Sequence, residues 1–149
     1  MSDKKIGFDD IMSDFASIKR NCAEELKVFG YLTTSKKFVQ INKSVNDLYR
    51  ARKQYATART DQDRDIWYYH CDRLSCLLDG ELDLLTDEEV NKFIDWFVGK
   101  VLTQKLYINK RLEKIQIIST FTTKLKDRDV NIDKLESLSD QLQEEVVKL

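Results

Sequence analysis

The amino-acid sequence predicts an all-α protein, a bundle of about five helices built from long antiparallel hairpins with a coiled-coil-like character. Three observations carry that reading. Proline is absent and glycine occurs four times, so the chain nearly lacks the two residues that most often interrupt a helix. Apolar side chains recur at intervals of three and four, which gathers them on one helical face. Finally, Thr86 and Glu89 form a helix-start signature. The Thr86 hydroxyl can accept from the Glu89 amide while the Glu89 carboxylate reaches back to the Thr86 amide. Leu85 and Val90 stand at the positions of a hydrophobic staple, and Asp87, Glu88 and Glu89 face the positive end of the helix.

The first stripe is Phe8, Ile11, Phe15, Ile18, Cys22 and Leu26, extended by Phe29, with Gly30 as its expected stop. Thr33, Thr34 or Ser35 can cap the next helix, whose stripe is Phe38, Ile41, Val45, Leu48 and Tyr55, interrupted by Arg52. Ala51, Ala56 and Ala58 make its later half slim. Over Thr60 to Asp65 the stripe lapses, and Thr60 with Asp63 can cap a new helix. A hairpin over residues 35–79 is therefore expected, against one unbroken helix. The third stripe, Ile66, Trp67, His70, Leu74, Leu77 and Leu78, ends before Gly80.

The helix begun by Thr86 carries Val90, Ile94, Phe97, Val101, Ile108, Leu112, Ile115 and Ile118. Unbroken to Leu125 it spans about 60 Å, with Gly99 and the β-branched run from Ile115 to Thr123 as weak points. That run has no partner strand in the sequence and is read as helical. Lys126 to Asp129 breaks the pattern. Asn131 or Asp129 then caps a last helix, with Leu135, Leu138, Leu142, Val146 and Leu149 at near-heptad spacing. This narrow seam suits one other helix, in the same chain or in a second copy.

A length of 149 residues fits a single helical domain over residues 1–149, with residues 127–149 available as a separate oligomerisation or docking element. The longest uncharged run, Ile115 to Thr123, is nine residues, well short of the roughly 20 that a membrane-spanning helix needs. The opening residues lack the apolar core of a secretory signal. Cys22, Cys71 and Cys76 read as reduced thiols, and a cytoplasmic location is the expectation.

Charge is sorted along the chain although the net is −1. Residues 31–60 carry +6 (seven basic, one acidic) and residues 61–95 carry −8 (three basic, eleven acidic). Residues 96–126 carry +6 (seven basic, one acidic) and residues 127–149 carry −4 (three basic, seven acidic). Two readings compete. In one, neighbouring antiparallel helices of opposite charge complement each other. In the other, Lys36, Lys37, Lys43, Arg50, Arg52, Lys53 and Arg59 join Lys100, Lys105, Lys110, Arg111 and Lys114 in a phosphate-binding surface. Tyr49, Tyr55 and Tyr107 would then offer rings on which unpaired bases stack.

Catalytic and metal-binding constellations are missing from the pattern. His70 is the single histidine, on the apolar side of its helix, and no acid stands three positions before it. A Cys3His zinc set would need remote Cys22. Cys71 points about 100° away from His70 around a helix. The glycines are too far apart for a phosphate loop. No cofactor and no metal are expected. No family motif is recognisable; in composition alone the chain resembles small accessory proteins of AT-rich viral or phage genomes, which carries no residues over. The leading expectation is a non-enzymatic interaction or assembly protein that contacts a protein partner or itself. The Leu135, Leu138, Leu142 and Val146 seam and exposed aromatics on the fourth helix would carry that role. The alternative is an accessory protein binding single-stranded DNA or RNA through basic segments 36–59 and 100–114. No membrane partner is expected.

Overall fold

The computed structural model describes residue 20 and residues 22–147, and every regular element among them is an α-helix. Residues 22–30 form α1. Then follow α2 (Thr34–Thr57), α3 (Asp61–Asp83), α4 (Asp87–Leu102), α5 (Ile108–Leu125) and α6 (Ile132–Val147). The stripe positions Phe8, Ile11, Phe15 and Ile18, and Leu149 at the far end, lie outside the described residues. By its contacts the chain divides into two compact units, Met1–Glu81 and Leu82–Leu149. Within each compact unit helices pack in antiparallel pairs.

In the first unit, α2 buries Phe38, Ile41, Ser44, Val45, Leu48 and Ala51, the expected three-and-four spacing. The chain turns at residues 58–60, and Thr60 starts α3 by accepting the Asp63 amide at its hydroxyl (3.1 Å). Residues 35–79 are therefore a hairpin. The ring centroids of Tyr55 and Tyr68 meet 5.9 Å apart near its tip. Helix α1 lies along α3, with Cys22 Sγ 3.8 Å from the Arg73 carbonyl and Leu26 against Gly80.

One glycine expectation holds and one changes. Helix α1 does end at Gly30, but no described glycine has positive φ. The end is closed instead by short turns, Tyr31 N–H to the Val28 carbonyl (3.1 Å) and Leu32 N–H to that of Phe29 (3.0 Å). Gly80 does not end α3; it lies inside the helix, where a Cβ would collide with the Leu26 side chain. The close approach of α1 explains this glycine.

In the second unit, the Thr86–Glu89 cap forms as expected, both of its hydrogen bonds at 3.1 Å. Leu85 and Val90 are buried. The expected 60 Å helix does not form. It breaks at residues 103–107, which is why six helices are described where about five were expected. Thr103 turns its hydroxyl onto the Lys100 carbonyl (2.8 Å), and the Gln104 amide closes a tight turn onto Val101 (3.2 Å). Tyr107 then adopts extended geometry as the N-cap of α5, its side chain making no capping bond.

The gain from this break is tertiary. It folds α5 back so that Phe121 meets Phe93 and Phe97 edge-on, with centroids 5.2 and 5.3 Å apart. All three rings are at most 1% exposed. Burying such a ring stabilises by about 1.5–3 kcal/mol, more than the few tenths per residue that favour continuing a helix. The β-branched run stays helical, Ile117, Ile118 and Thr120 facing the core and the Thr120 hydroxyl returning to the Gln116 carbonyl (3.1 Å).

Helix α6 lies against both α4 and α5. Lys134 reaches Asp95 (2.6 Å), the Asn131 amide reaches Asn91 (2.8 Å), and Arg111 approaches Glu145 (3.4 Å). Arg128, in the α5–α6 connection, ties the entry to α4. Its guanidinium donates to the carbonyls of Leu82 (2.8 Å) and Leu85 (2.7 Å) and to the Asp87 carboxylate (2.9 Å).

Candidate functional site

The basic residues singled out by charge sorting fall into two sets. Lys36, Lys37, Lys43, Arg50, Arg52 and Lys53 stand on α2 and Arg59 in the turn after it, all in Met1–Glu81. Lys100 is on α4, Lys105 in the α4–α5 connection, and Lys110, Arg111 and Lys114 on α5, all in Leu82–Leu149. Several are already engaged. Lys43 and Arg50 both reach Asp47 (3.2 and 3.4 Å). Lys37 lies over the Phe29 ring and Lys53 over that of Tyr49, each 5.7 Å from the centroid.

In the second unit Lys100 covers Trp96 (4.7 Å) and Lys110 pairs with Glu113 (3.2 Å). Arg111 faces Glu145 as an ion pair without hydrogen-bond geometry. Lys114 is half-buried, and burial pushes its ammonium pKa below the usual lysine value despite the opposing influence of Glu113. The hairpin tip of the first unit is the more open of the two sets. Arg52, Lys53 and Arg59 are exposed there with Tyr55 and Tyr68, although Asp61 and Asp63 begin α3 beside them.

The leucine seam is spent inside the chain. Leu135, Leu138 and Leu142 are 1%, 3% and 4% exposed, and Val146 is half-buried. Of the two occupants that the spacing permits, the structure shows the intramolecular one, since α4 and α5 have apolar stripes of their own to cover. Of the aromatics on the stretch expected as the fourth helix, Phe97 is core, Trp96 is half-buried and Tyr107 is exposed.

Exposed large apolar residues occur along the chain, Tyr31 among them, and four of them gather at the α4–α5 turn. Tyr107 is 84% exposed, Leu102 55%, Leu112 46% and Ile108 45%. Ile108 and Leu112 share a face one turn apart on α5. Leu102 and Tyr107 border a cleft of about 320 Å³ that Leu106, Arg111 and Leu142 also line. A reading by stripes alone missed this surface because it took the residues as part of one continuous helix.

A second feature was not singled out at all. Glu81 is 1% exposed near the end of α3, beside Ser44 of α2, and its Oε1 has no hydrogen-bond partner. Burial pushes its carboxyl up to about 7, and Glu25 adds to that; Ser44, Gln40 and Lys43 oppose it by favouring the ionised form. It lines a cleft of about 360 Å³ within Met1–Glu81. The sequence does hold a signal for it, because Glu81 continues the Leu74, Leu77, Leu78 stripe by helical spacing.

The remaining candidates for chemistry are quiet. His70 is half-buried between the rings of Trp67 (5.4 Å) and Tyr69 (5.6 Å). Burial raises the Cys71 thiol above its usual pKa and takes Cys22, with a neighbouring contribution from Cys76, to about 11. A nucleophilic cysteine needs the opposite shift. Among the described residues no group of three or more His, Cys, Asp or Glu side chains could hold a metal ion. No helix among them is long and apolar enough to cross a membrane. No protein family, curated protein or solved structure was found to match this chain.

Proposed function

We propose that this protein is a non-enzymatic interaction module that docks a protein partner, or a second copy of itself, through the α4–α5 turn. The observation that carries the reading is the exposure of Leu102, Tyr107, Ile108 and Leu112 within eleven consecutive positions. An exposed tyrosine beside aliphatic side chains is the composition of an interface centre, and Lys105 and Lys110 supply a basic rim. A partner of matching chemistry presents an apolar helix face with acidic flanks.

The test places a photo-reactive side chain at position 107 and compares crosslinking in its native cells with that of a Leu102→Ser/Leu112→Ser variant, alongside light scattering of the purified chain. A defined crosslinked species that the double variant loses is the expected result. A monomer at all concentrations together with no variant-sensitive crosslink refutes the proposal.

A second reading, binding of single-stranded nucleic acid, is favoured by one observation: the Tyr55–Tyr68 ring pair beside Arg52, Lys53 and Arg59 at the α2–α3 tip. Anisotropy with labelled oligonucleotides decides it. Binding that weakens steeply with salt and is lost in Tyr55→Ala supports this reading, and no binding at low salt removes it.

A further inference from the structure

The cleft on Glu81 holds a carboxyl oxygen that its own walls do not satisfy. Two cations line it, and each already meets an acid: Lys43 pairs with Asp47 (3.2 Å) and Arg73 with Glu25 (3.6 Å). Glu81 is in neither pair. It is also the most deeply buried of these five groups, and its Oε1 makes no hydrogen bond. Ser44 and Gln40 lie beside the carboxyl and favour its ionised form, but Gln40 also gives an amide hydrogen to Ser44 (3.3 Å). A buried acceptor without a donor is costly, and the cost is removed when a donor arrives from outside.

The rest of the wall says what kind of donor fits. Val28, Phe29, Leu32, Leu74 and Leu77 give the cleft an apolar side, while Glu25 and Lys43 are exposed at its mouth. A volume of about 360 Å³ holds about a dozen water-sized volumes, the small end of the range for ligand pockets. A metal ion is a poor occupant, since no group of three candidate ligands exists among the described residues. An anion meets the unpaired carboxylate.

We propose that this cleft binds a small organic ammonium, a primary amine with an apolar body of roughly four to six carbons, its N–H groups donating to the Glu81 carboxyl and its hydrocarbon lying on the Val28, Phe29 and Leu74 wall. The site is separate from the α4–α5 surface and does not depend on that reading. One charge-assisted contact and a short hydrocarbon give millimolar rather than nanomolar binding.

The experiment titrates n-butylammonium chloride into isotope-labelled full-length protein and follows the backbone amides of residues 40–44 and 77–81, at pH 6 and at pH 8. Sodium chloride and n-butanol at matched concentration serve as controls. The expected result is saturable displacement by the amine alone. Because the carboxyl sits at about 7, it passes from about one-tenth to about nine-tenths ionised between the two pH values. An alkylamine stays charged across that range, so binding is about tenfold tighter at pH 8. Glu25, Lys43, Asp47 and Arg73 are the other charged groups facing the cleft, and Glu81→Gln leaves all four in place while weakening binding at least tenfold. The wild-type pH ratio stands as an independent measurement that needs no variant. Non-saturating shifts, as expected of a cleft that holds water only, overturn the proposal. So do equal shifts with n-butanol, or an affinity that does not change with pH.

Discussion

Replacing Arg128 with alanine removes three hydrogen bonds at one stroke: those to the Leu82 and Leu85 carbonyls at 2.8 and 2.7 Å and that to Asp87 at 2.9 Å. Helix α3 ends at Asp83, so its last carbonyls have no partner within the helix. Arg128 comes from the α5–α6 connection to serve that segment. Hydrogen bonds to a charged group are worth about 1.5–3 kcal/mol each when buried. The Arg128 side chain is 23% exposed, so water recovers part of the loss, leaving an expected cost of about 2–4 kcal/mol. For a unit of this size a urea slope of about 1 kcal/mol per molar makes that a midpoint lowered by at least about 2 M. The assay is urea unfolding followed by Trp96 fluorescence in a Trp67→Phe background, which makes the α4 tryptophan the sole reporter. Arg128→Lys should recover less than half of the loss, because an ammonium cannot serve three acceptors in a fork. A loss below about 0.5 kcal/mol for the alanine variant, or full recovery by lysine, refutes the argument that this guanidinium fastens the start of α4.

Four further outcomes are expected. Phe121→Ala should cost about 3–5 kcal/mol, since the ring is 0% exposed and packed edge-on against two others; the same urea assay measures it. Thr86→Ala should cost about 1 kcal/mol through loss of the capping box, and thermal melts followed by circular dichroism will show whether the loss is that small. Gly99→Ala should stabilise by roughly 0.5–1 kcal/mol, as nothing lies within 4 Å of the added Cβ; Gly80→Ala should gain less, because Leu26 must move aside, and equal gains would contradict the packing described. Glu81 has an ordinary carboxyl value of 4.5 and a folded value of about 7, so the folded state holds its proton more tightly. Stability from this group is fully present below pH 4.5 and falls as pH rises to 7, by roughly 3 kcal/mol. Glu81→Gln should therefore gain on wild type across that window, and parallel stability curves for the two proteins would rule out a proton held by burial on this carboxyl.

Local chemistry was the legible part of this fold. The Thr86–Glu89 cap and the Thr60 start of α3 are written within four residues each, and the stripes bury Phe38, Ile41, Val45 and Leu48 of α2 and Leu135, Leu138 and Leu142 of α6, while Tyr55 stays exposed. What escaped depends on partners remote in sequence. Nothing in the segment from Leu102 to Tyr107 resembles a turn, having neither Gly nor Pro; the break is favoured by Phe121 reaching Phe93 and Phe97. Gly80 reads as a helix end until Leu26 is seen to fill the space where its side chain would be. Arg128 looks like one charge in a polar loop, yet its acceptors lie 41 to 46 residues away. Glu81 was half-legible, since a carboxylate on an apolar stripe is already an anomaly before its missing donor is known.

The break between α4 and α5 also bears on how quickly this part of the chain finds its structure. In one straight helix, Phe93 and Phe121 would stand about 40 Å apart and neither could help the other form. Folded back by a five-residue connection, they meet after closing a loop of fewer than thirty residues, at small entropic cost. Each helix of such a hairpin is marginal alone, so the aromatic contact and the helices stabilise one another as they appear. Contacts this local in sequence place α4–α5 among the fast-folding topologies, in the microsecond-to-millisecond range, and make the aromatic trio a natural nucleus for Leu82–Leu149.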